Sequence, residues 1–266
     1  MKISIIQCDL KVGDVDYNFS LVEKKIIEAM EDKPDVVVLP EMWNTSFFPH
    51  NIRELADVDG RRTKELLKRL SSKFNVNIVG GSVARLSGDK LFNTCYVFDR
   101  NGNEINHYDK VHAFSPSKEN EVFNTGSNIC TFNLDNIKCG VIICYDIRFV
   151  EWVRMYALDD VQILFIPAAW PDKRNLHWDT LNRARAIENQ MFVVCVNSVG
   201  STDDMKFGGH SAIIDPWGEY IIKPDDSDSI KCADIEFDVI KGIRESINVF
   251  RDRKKDLYEL GGKNEI

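Results

Sequence analysis

Three residues of the kinds that make and break bonds stand at the ends of short apolar runs. Glu41 follows Asp35–Leu39 and Pro40, Lys110 follows Tyr108-Asp109, and Cys144 closes Lys138–Cys144. A thiol, a carboxylate and an ammonium group together supply a nucleophile, a proton acceptor and a stabiliser of developing negative charge. The ends of strands in α/β sheets are where such groups converge, because backbone pairing stops there. Tyr145-Asp146-Ile147-Arg148 opens an amphipathic pattern after Cys144, so the sulfur is expected at a strand-to-helix elbow. There the helix dipole lowers a thiol's pKa, and backbone N–H groups such as that of Tyr145 hold an oxyanion. Glu41 sits between an apolar strand and Met42-Trp43, a setting that raises a carboxyl group's proton affinity toward that of a useful base. Taken singly, each residue has a plainer reading, as a buried structural thiol, a capping carboxylate and a surface charge. His112 and His107 are rival bases for the cysteine. His112 ranks second, because a histidine in this neighbourhood more often satisfies backbone groups than catalyses.

The elements that must position these groups are legible from periodicity. Ile3–Cys8, Asp35–Leu39, Val76–Val83, Asn93–Phe98, Lys138–Cys144, Val161–Ile166 and Phe192–Val196 are β-rich runs bounded by turn residues. Residues 16–32 place Phe19, Val22, Ile26 and Met30 on one helical stripe that Pro34 stops, and 60–74, 147–159 and 176–190 carry similar patterns. Asn101-Gly102 predicts a type I′ hairpin turn and Asp215–Gly218 a second turn. Helical crossovers mixed with hairpins call for an α/β fold with mixed sheets, and the absence of any Gly/Ser/Pro linker makes 1–266 a single domain. PDVVVLPE at 34–41 and DVQILFIPAA at 160–169 echo one another, a similarity best read as coincidence. The charged stretch Val249–Leu260 is expected to be a surface helix or an arm over a partner.

Composition narrows the class. In 266 residues, 44% are hydrophobic and 29% charged, which excludes a disordered chain. The net charge of −8 repels nucleic acid and anionic membranes, leaving small molecules or proteins as partners. The seven cysteines include no Cys-x-x-Cys pair, and the histidines show no zinc spacing, so no metal is expected. MKISIIQCDL is too short and polar for a signal peptide, and no apolar stretch nears a membrane span. A cytoplasmic location is the expectation.

In this order, LPE with Glu41, YDK-x-H with Lys110 and CYDIRF with Cys144 resemble the three signature stretches of the nitrilase superfamily of carbon–nitrogen hydrolases. The resemblance runs through IIQCDL, GGSVA, NTCYVFD, PAAW, RARAIENQ and GHSAIIDPWG. It implies a four-layer αββα sandwich with two mixed β-sheets. It also implies a triad in which Glu41 is the general base, Lys110 supports the oxyanion and Cys144 attacks. Family members carry a second glutamate seven residues before a glycine. Counting back from Gly126 gives Glu119, assigned to orienting Lys110 and the substrate amine, with Glu121 as its rival. The loop AFSPSKENEVFNTG departs from the usual Leu-Phe version at Ala113.

HWDTLNRARAIENQ and Ala169-Trp170-Pro171 look most like the ω-amidases that hydrolyse 2-oxoglutaramate or 2-oxosuccinamate. The alternatives are an N-carbamoyl amine or amino-acid amidohydrolase and, from another class, a catalytically silent binding module. The resemblance further implies no cofactor and a homodimer. A substrate carboxylate calls for a cation, for which Arg174, Lys173 and His177 are candidates, with Trp170 and Trp43 as apolar walls and Tyr145 as backbone donor. Arg148 and Asp146 are expected to pair structurally at the elbow.

Overall fold

Alternate residues of the apolar runs face two different cores. Val36 and Val38 belong to one packed cluster and Val37 and Leu39 to another; Cys95 and Val97 part from Tyr96 and Phe98 in the same way. Strands buried on both faces, each face in its own layer, follow from that pattern.

The computed structural model describes residues 1–47, 49–202 and 205–258. In chain order the elements are β1 (Lys2–Gln7), α1 (Val15–Ala29), β2 (Val36–Val38), α2 (Ile52–Leu55), β3 (Asp57–Val58), α3 (Arg61–Phe74), β4 (Asn77–Val79), β5 (Val83–Ser87), β6 (Lys90–Phe98) and β7 (Glu104–Asp109). They continue with α4 (Glu119–Val122), β8 (Thr131–Leu134), β9 (Ile137–Val141), α5 (Val150–Leu158), β10 (Ile163–Ala168), α6 (Asn175–Asn189), β11 (Phe192–Asn197), β12 (Ala212–Ile214), β13 (Tyr220–Ile222), β14 (Ser229–Asp234) and α7 (Asp238–Ser246).

Among the described residues, one sheet runs β14-β1-β2-β4-β6-β5-β3 with β7 on β6, and the other runs β13-β12-β11-β10-β9-β8. Both mix parallel and antiparallel pairs, as the crossovers and hairpins require. Phe19, Val22 and Ile26 of α1 and Leu66, Leu67 and Leu70 of α3 cover the outer face of the first sheet. α5 and α6 cover the second, and the inner faces meet through Ile3, Ile5, Val38 and Val97 against Val141, Phe165 and Val194. The result is the expected four-layer αββα sandwich. Among the described residues no helix is long and apolar enough to cross a membrane.

Several local expectations need correction. The run Val76–Val83 breaks into β4 and β5 at Gly80-Gly81, where the chain turns at Gly81 with φ +61°. The hairpin at Asn101-Gly102 is not type I′, which needs positive φ at both central residues; only Gly102 has it, at +83°. Asp99 dictates the turn instead: its Oδ1 accepts the N–H groups of Asn101 and Asn103, at 2.9 and 2.8 Å. Asp215 repeats this arrangement with Trp217 and Glu219. The helix read over 147–159 starts only at Val150, because Cys144–Arg148 forms a 3₁₀ turn. Among the described residues of Val249–Leu260 the helical element is a short 3₁₀ turn at Lys255–Leu257, and Glu259 and Leu260 lie outside the described residues. The echo between 34–41 and 160–169 has a structural counterpart. β2 and β10 lie in different sheets, and their ends abut where the Glu41 N–H donates to Ala168 O at 3.2 Å.

Gly81 lets the turn between β4 and β5 pass close to the end of β2, since a Cβ there would lie 2.1 Å from Pro40 O and 2.8 Å from the Leu39 carbonyl carbon. Gly88 also has positive φ, +59°, but nothing within 4 Å of a Cβ. Gly88→Ala should cost about 1 kcal/mol from its backbone conformation alone. Gly81→Ala, with the added clash, should cost about 3 kcal/mol or more. Urea unfolding of the two variants checks the difference.

Candidate active site

Cys144 is placed by its own strained backbone and by a buried carboxylate. Cys144 has φ +48°, a conformation that costs a non-glycine residue about 1–2 kcal/mol. What holds it is Asp146, fully buried. Its Oδ2 accepts the Ile143 N–H at 2.9 Å and the Tyr108 hydroxyl at 2.8 Å. Its Oδ1 accepts the His112 N–H at 2.9 Å and lies 2.7 Å from His112 Nδ1. His112 in turn stacks on Phe149 with centroids 3.6 Å apart. His112 therefore braces the elbow from Asp146, and His107 stands at the surface beside Glu104. Arg148 does not pair with Asp146, contrary to expectation; every bond drawn by that carboxylate comes from Ile143, Tyr108 or His112.

Lys110 follows β7, where Asp109 is fixed by two bonds from Arg85 at 2.9 and 2.8 Å and one from Thr94 at 2.6 Å. The Lys110 ammonium is almost wholly buried. It donates to Glu41 Oε1 at 2.9 Å and to Glu119 Oε1 and Oε2 at 3.0 and 2.9 Å. All three of its N–H bonds are thereby committed to carboxylates. Glu41 Oε2 accepts the Ala169 N–H at 2.8 Å, and the charge of the same carboxylate acts on the neighbouring Cys144 thiol. The structure thus brings together Glu41, Lys110, Cys144 and Glu119. Glu121 is solvent-exposed, 4.0 Å from Lys118, so Glu119 is the glutamate that reaches Lys110.

Electrostatics follow from this packing. Burial works against the Lys110 charge, but the carboxylates of Glu119 and Glu41 outweigh it and hold the ammonium well above its ordinary pKa. Burial pushes the Cys144 thiol well above its ordinary pKa; the negative charge of Glu41 adds to this and Lys110 only partly opposes it. The expected lowering of the thiol pKa is therefore corrected. The sulfur opens a five-residue 3₁₀ turn rather than an α-helix and shares its pocket with a carboxylate, so it rests as a thiol.

Beside the sulfur lies a narrow cavity of about 20 Å³, room for one or two waters. Phe47, Phe114, Tyr145 and Trp170 wall it, and Arg148 and Arg174 line it with Lys110 and Cys144. It adjoins a basin of about 520 Å³ that Lys173 and Lys206 border. Of the expected binding residues, Tyr145, Trp170 and Arg174 line the cavity. Lys173 belongs to the outer basin. His177 stands behind Arg148, its Nδ1 3.2 Å from the guanidinium. Trp43 is no wall of this cavity: it is buried on α1's side of the first sheet against Phe19 and donates to Gly80 O at 2.8 Å. Arg148, expected to be structural, stacks over Trp170 and reaches the cavity. Sequence reasoning also missed Asn93, whose amide donates to Glu41 at 2.8 Å and weakly to Glu119 at 3.3 Å. A buried asparagine opening the apolar stretch NTCYVF was the available signal.

Residues 2–245 match the carbon–nitrogen hydrolase family. The chain belongs to that family. The 2-oxoglutaramate amidase of Bacillus subtilis (strain 168) is 43% identical over 256 residues, 96% of this chain and 98% of that protein. The ω-amidase NIT2 of Danio rerio is 32% identical, over 99% of this chain and 98% of that one. Among solved structures, Saccharomyces cerevisiae Nit3, a member of branch 10 of the nitrilase superfamily, superposes with a TM-score of 0.89 at 27% identity over 96% of both chains.

The carbon–nitrogen hydrolase therefore keeps its cysteine in place through Asp146, and the elbow should be sensitive to that carboxylate. Asp146→Asn keeps the shape but replaces an acceptor oxygen by a donor facing other donors. We expect a loss of about 3 kcal/mol in urea unfolding, the scale for breaking buried bonds to a charged group.

Proposed function

We propose that this carbon–nitrogen hydrolase is an ω-amidase that converts 2-oxoglutaramate, or the shorter 2-oxosuccinamate, to the dicarboxylate and ammonia through a thioester on Cys144. The observation that carries the reading is the buried Glu41–Lys110–Glu119 cluster, with Cys144 and Lys110 lining a cavity that two guanidinium groups also line.

Glu41 takes the thiol proton as the sulfur attacks the amide carbon. The carbonyl oxygen becomes an oxyanion held by the Lys110 ammonium and the backbone N–H of Tyr145. The proton transfer itself frees Lys110 for this role. Once Glu41 is neutral, its bond from Lys110 loses its charge assistance, and an N–H turns to the oxyanion while Glu119 keeps the ammonium anchored. Collapse of the intermediate breaks the C–N bond, and Glu41 gives its proton to the departing nitrogen as ammonia leaves. A water then loses a proton to Glu41, attacks the thioester carbon and forms a second oxyanion on the same donors. Its collapse releases the acid, and the sulfur regains its proton from Glu41. No cofactor enters the cycle.

Size and charge select the substrate. The inner cavity admits only a small group such as a carboxamide, and the neck carries Arg148 and Arg174. Burial and the neighbouring Arg174 both lower the pKa of Arg148, so an anion between the two guanidiniums relieves a repulsion already present. A carboxylate a few bonds from the amide meets that need and can be held bidentately. The seven unpaired cysteines support a cytoplasmic setting. The half-exposed Val150, Met155 and Leu158 on α5 support a homodimer across that helix.

Ammonia release measured on 2-oxoglutaramate, 2-oxosuccinamate, glutamine and an N-carbamoyl amino acid tests the assignment, with the first two preferred. A preference for the last would replace it with the N-carbamoyl reading. Cys144→Ala should abolish release with an unchanged melting curve; activity retained in the folded variant would favour a binding module over an enzyme. Arg148→Gln should raise KM for 2-oxoglutaramate at least tenfold, the value of about one charge-assisted hydrogen bond, while leaving turnover of an uncharged short amide within threefold.

A further inference from the structure

Asn93 bonds both carboxylates of the site. Its side chain is buried, at 2% exposure, near the middle of β6. Its Nδ2 donates to Glu41 Oε1 at 2.8 Å and to Glu119 Oε1 at 3.3 Å, and its backbone carbonyl oxygen accepts the Lys110 backbone N–H at 2.9 Å. The orientation of the amide is forced. Turning it over would set its oxygen against two carboxylate oxygens, although that same oxygen has no hydrogen-bond partner where it now lies. The donor end of the amide is thereby committed to the two acids.

The charges explain the need. Two carboxylates and one ammonium leave the buried cluster one negative charge in excess. Two carboxylates that close together favour sharing a proton, as like charges at one site do. A proton on Glu41 would remove the base before the substrate arrives. Lys110 offsets part of this excess but is committed to both acids. Of the two carboxylates, Ala169 N–H reaches Glu41 and Phe114 N–H reaches Glu119, at 2.6 Å. Asn93 is the neutral donor that reaches both.

We propose that Asn93 is a positioning residue of the hydrolase: it holds Glu41 and Glu119 as two separate anions on either side of Lys110, keeping Glu41 ionised and aimed at the thiol. The inference rests on the reading of Glu41 as the base. Hydrogen bonds to the charged form of an acid stabilise it, two or three together lowering a carboxyl pKa by about two units. Losing this one should move the acidic limb of the pH–rate profile upward by about one pH unit.

The test uses Asn93→Ser, which shortens the donor, and Asn93→Asp, which keeps the shape and replaces the donor nitrogen by an oxygen. Wild type and Cys144→Ala are run first; if wild type releases no ammonia, or Cys144→Ala still does, the functional reading fails and not this one. With that established, kcat/KM on 2-oxoglutaramate is followed from pH 5 to 9 alongside thermal melting. The expected result for Asn93→Ser is an acidic limb displaced upward by about one pH unit. Its kcat should fall at least tenfold and its KM should stay within threefold. Asn93→Asp should lose at least a hundredfold in kcat at pH 8, where its own carboxylate adds a third negative charge. A fall in kcat with the acidic limb unmoved would overturn the proposal, as would unchanged kinetics. Failure of both variants to fold would make Asn93 an architectural residue and overturn it equally.

Discussion

The arrangement depends on one buried ammonium group. Lys110, 3% exposed, is held between Glu41 and Glu119 in a place where an unpaired charge would cost several kcal/mol. Charges are affordable there only in register, because a misplaced partner leaves a desolvated ion behind. The two acids reach the ammonium from separate parts of the chain. Glu41 extends from β2 of the first sheet, while Glu119 opens α4 in the loop that leaves Lys110. The second sheet supplies Cys144 after β9 and the Ala169 N–H after β10. The face-to-face packing of the sheets is thus what converts a scatter of ionisable residues into one cluster, and the short bridge from Glu41 N–H to Ala168 O fixes the two sheets at that point.

The resting state of the sulfur follows from the same cluster. An excess of one negative charge cannot favour a thiolate beside it, and burial adds to the penalty. In the proposed cycle a neutral thiol needs a neighbouring base, the role given there to Glu41. Such an arrangement also protects the sulfur, since the neutral thiol reacts far more slowly with oxidants and alkylators than the thiolate does. Deprotonation becomes coupled to substrate arrival, when a carbonyl can take up the charge that the thiolate would otherwise hold alone.

Much of this was legible in the sequence, for identifiable reasons. The apolar runs mark the strands, and the structure divides Val36–Leu39 and Cys95–Phe98 between two cores; the four layers themselves were implied by the resemblance. Glu41, Lys110 and Cys144 stood out at strand ends, and Glu119 came from the resemblance, by its distance from Gly126. What escaped were properties of three-dimensional proximity. Asp146 looks like a partner for Arg148 two residues on, yet its oxygens turn inward to Tyr108 and His112, far away in the chain. Trp43 follows the base directly, but its ring points to the opposite face of the sheet, as adjacent residues near a strand end tend to do. The thiol's pKa was misjudged because helix dipole and neighbouring charge oppose one another, and only distances decide which dominates. Asn93 carried no signal of charge or reactivity, and its importance lies wholly in what surrounds it.

Strain and specificity are linked at the elbow. The positive φ of Cys144 lifts the residues after it into a tight turn, which sets Tyr145 and Arg148 on the cavity side and sends Asp146 and Ile147 inward. An ordinary α-helical start would space these residues at about 100° apiece and could not divide them so cleanly between core and cavity. The conformational cost is offset by the four polar contacts of Asp146, each drawn from a different donor atom. The device that aims the sulfur is therefore also the one that delivers a guanidinium to the mouth. In such a site the spacing between the Cys144 sulfur and the Arg148 guanidinium is set by the backbone geometry of that turn.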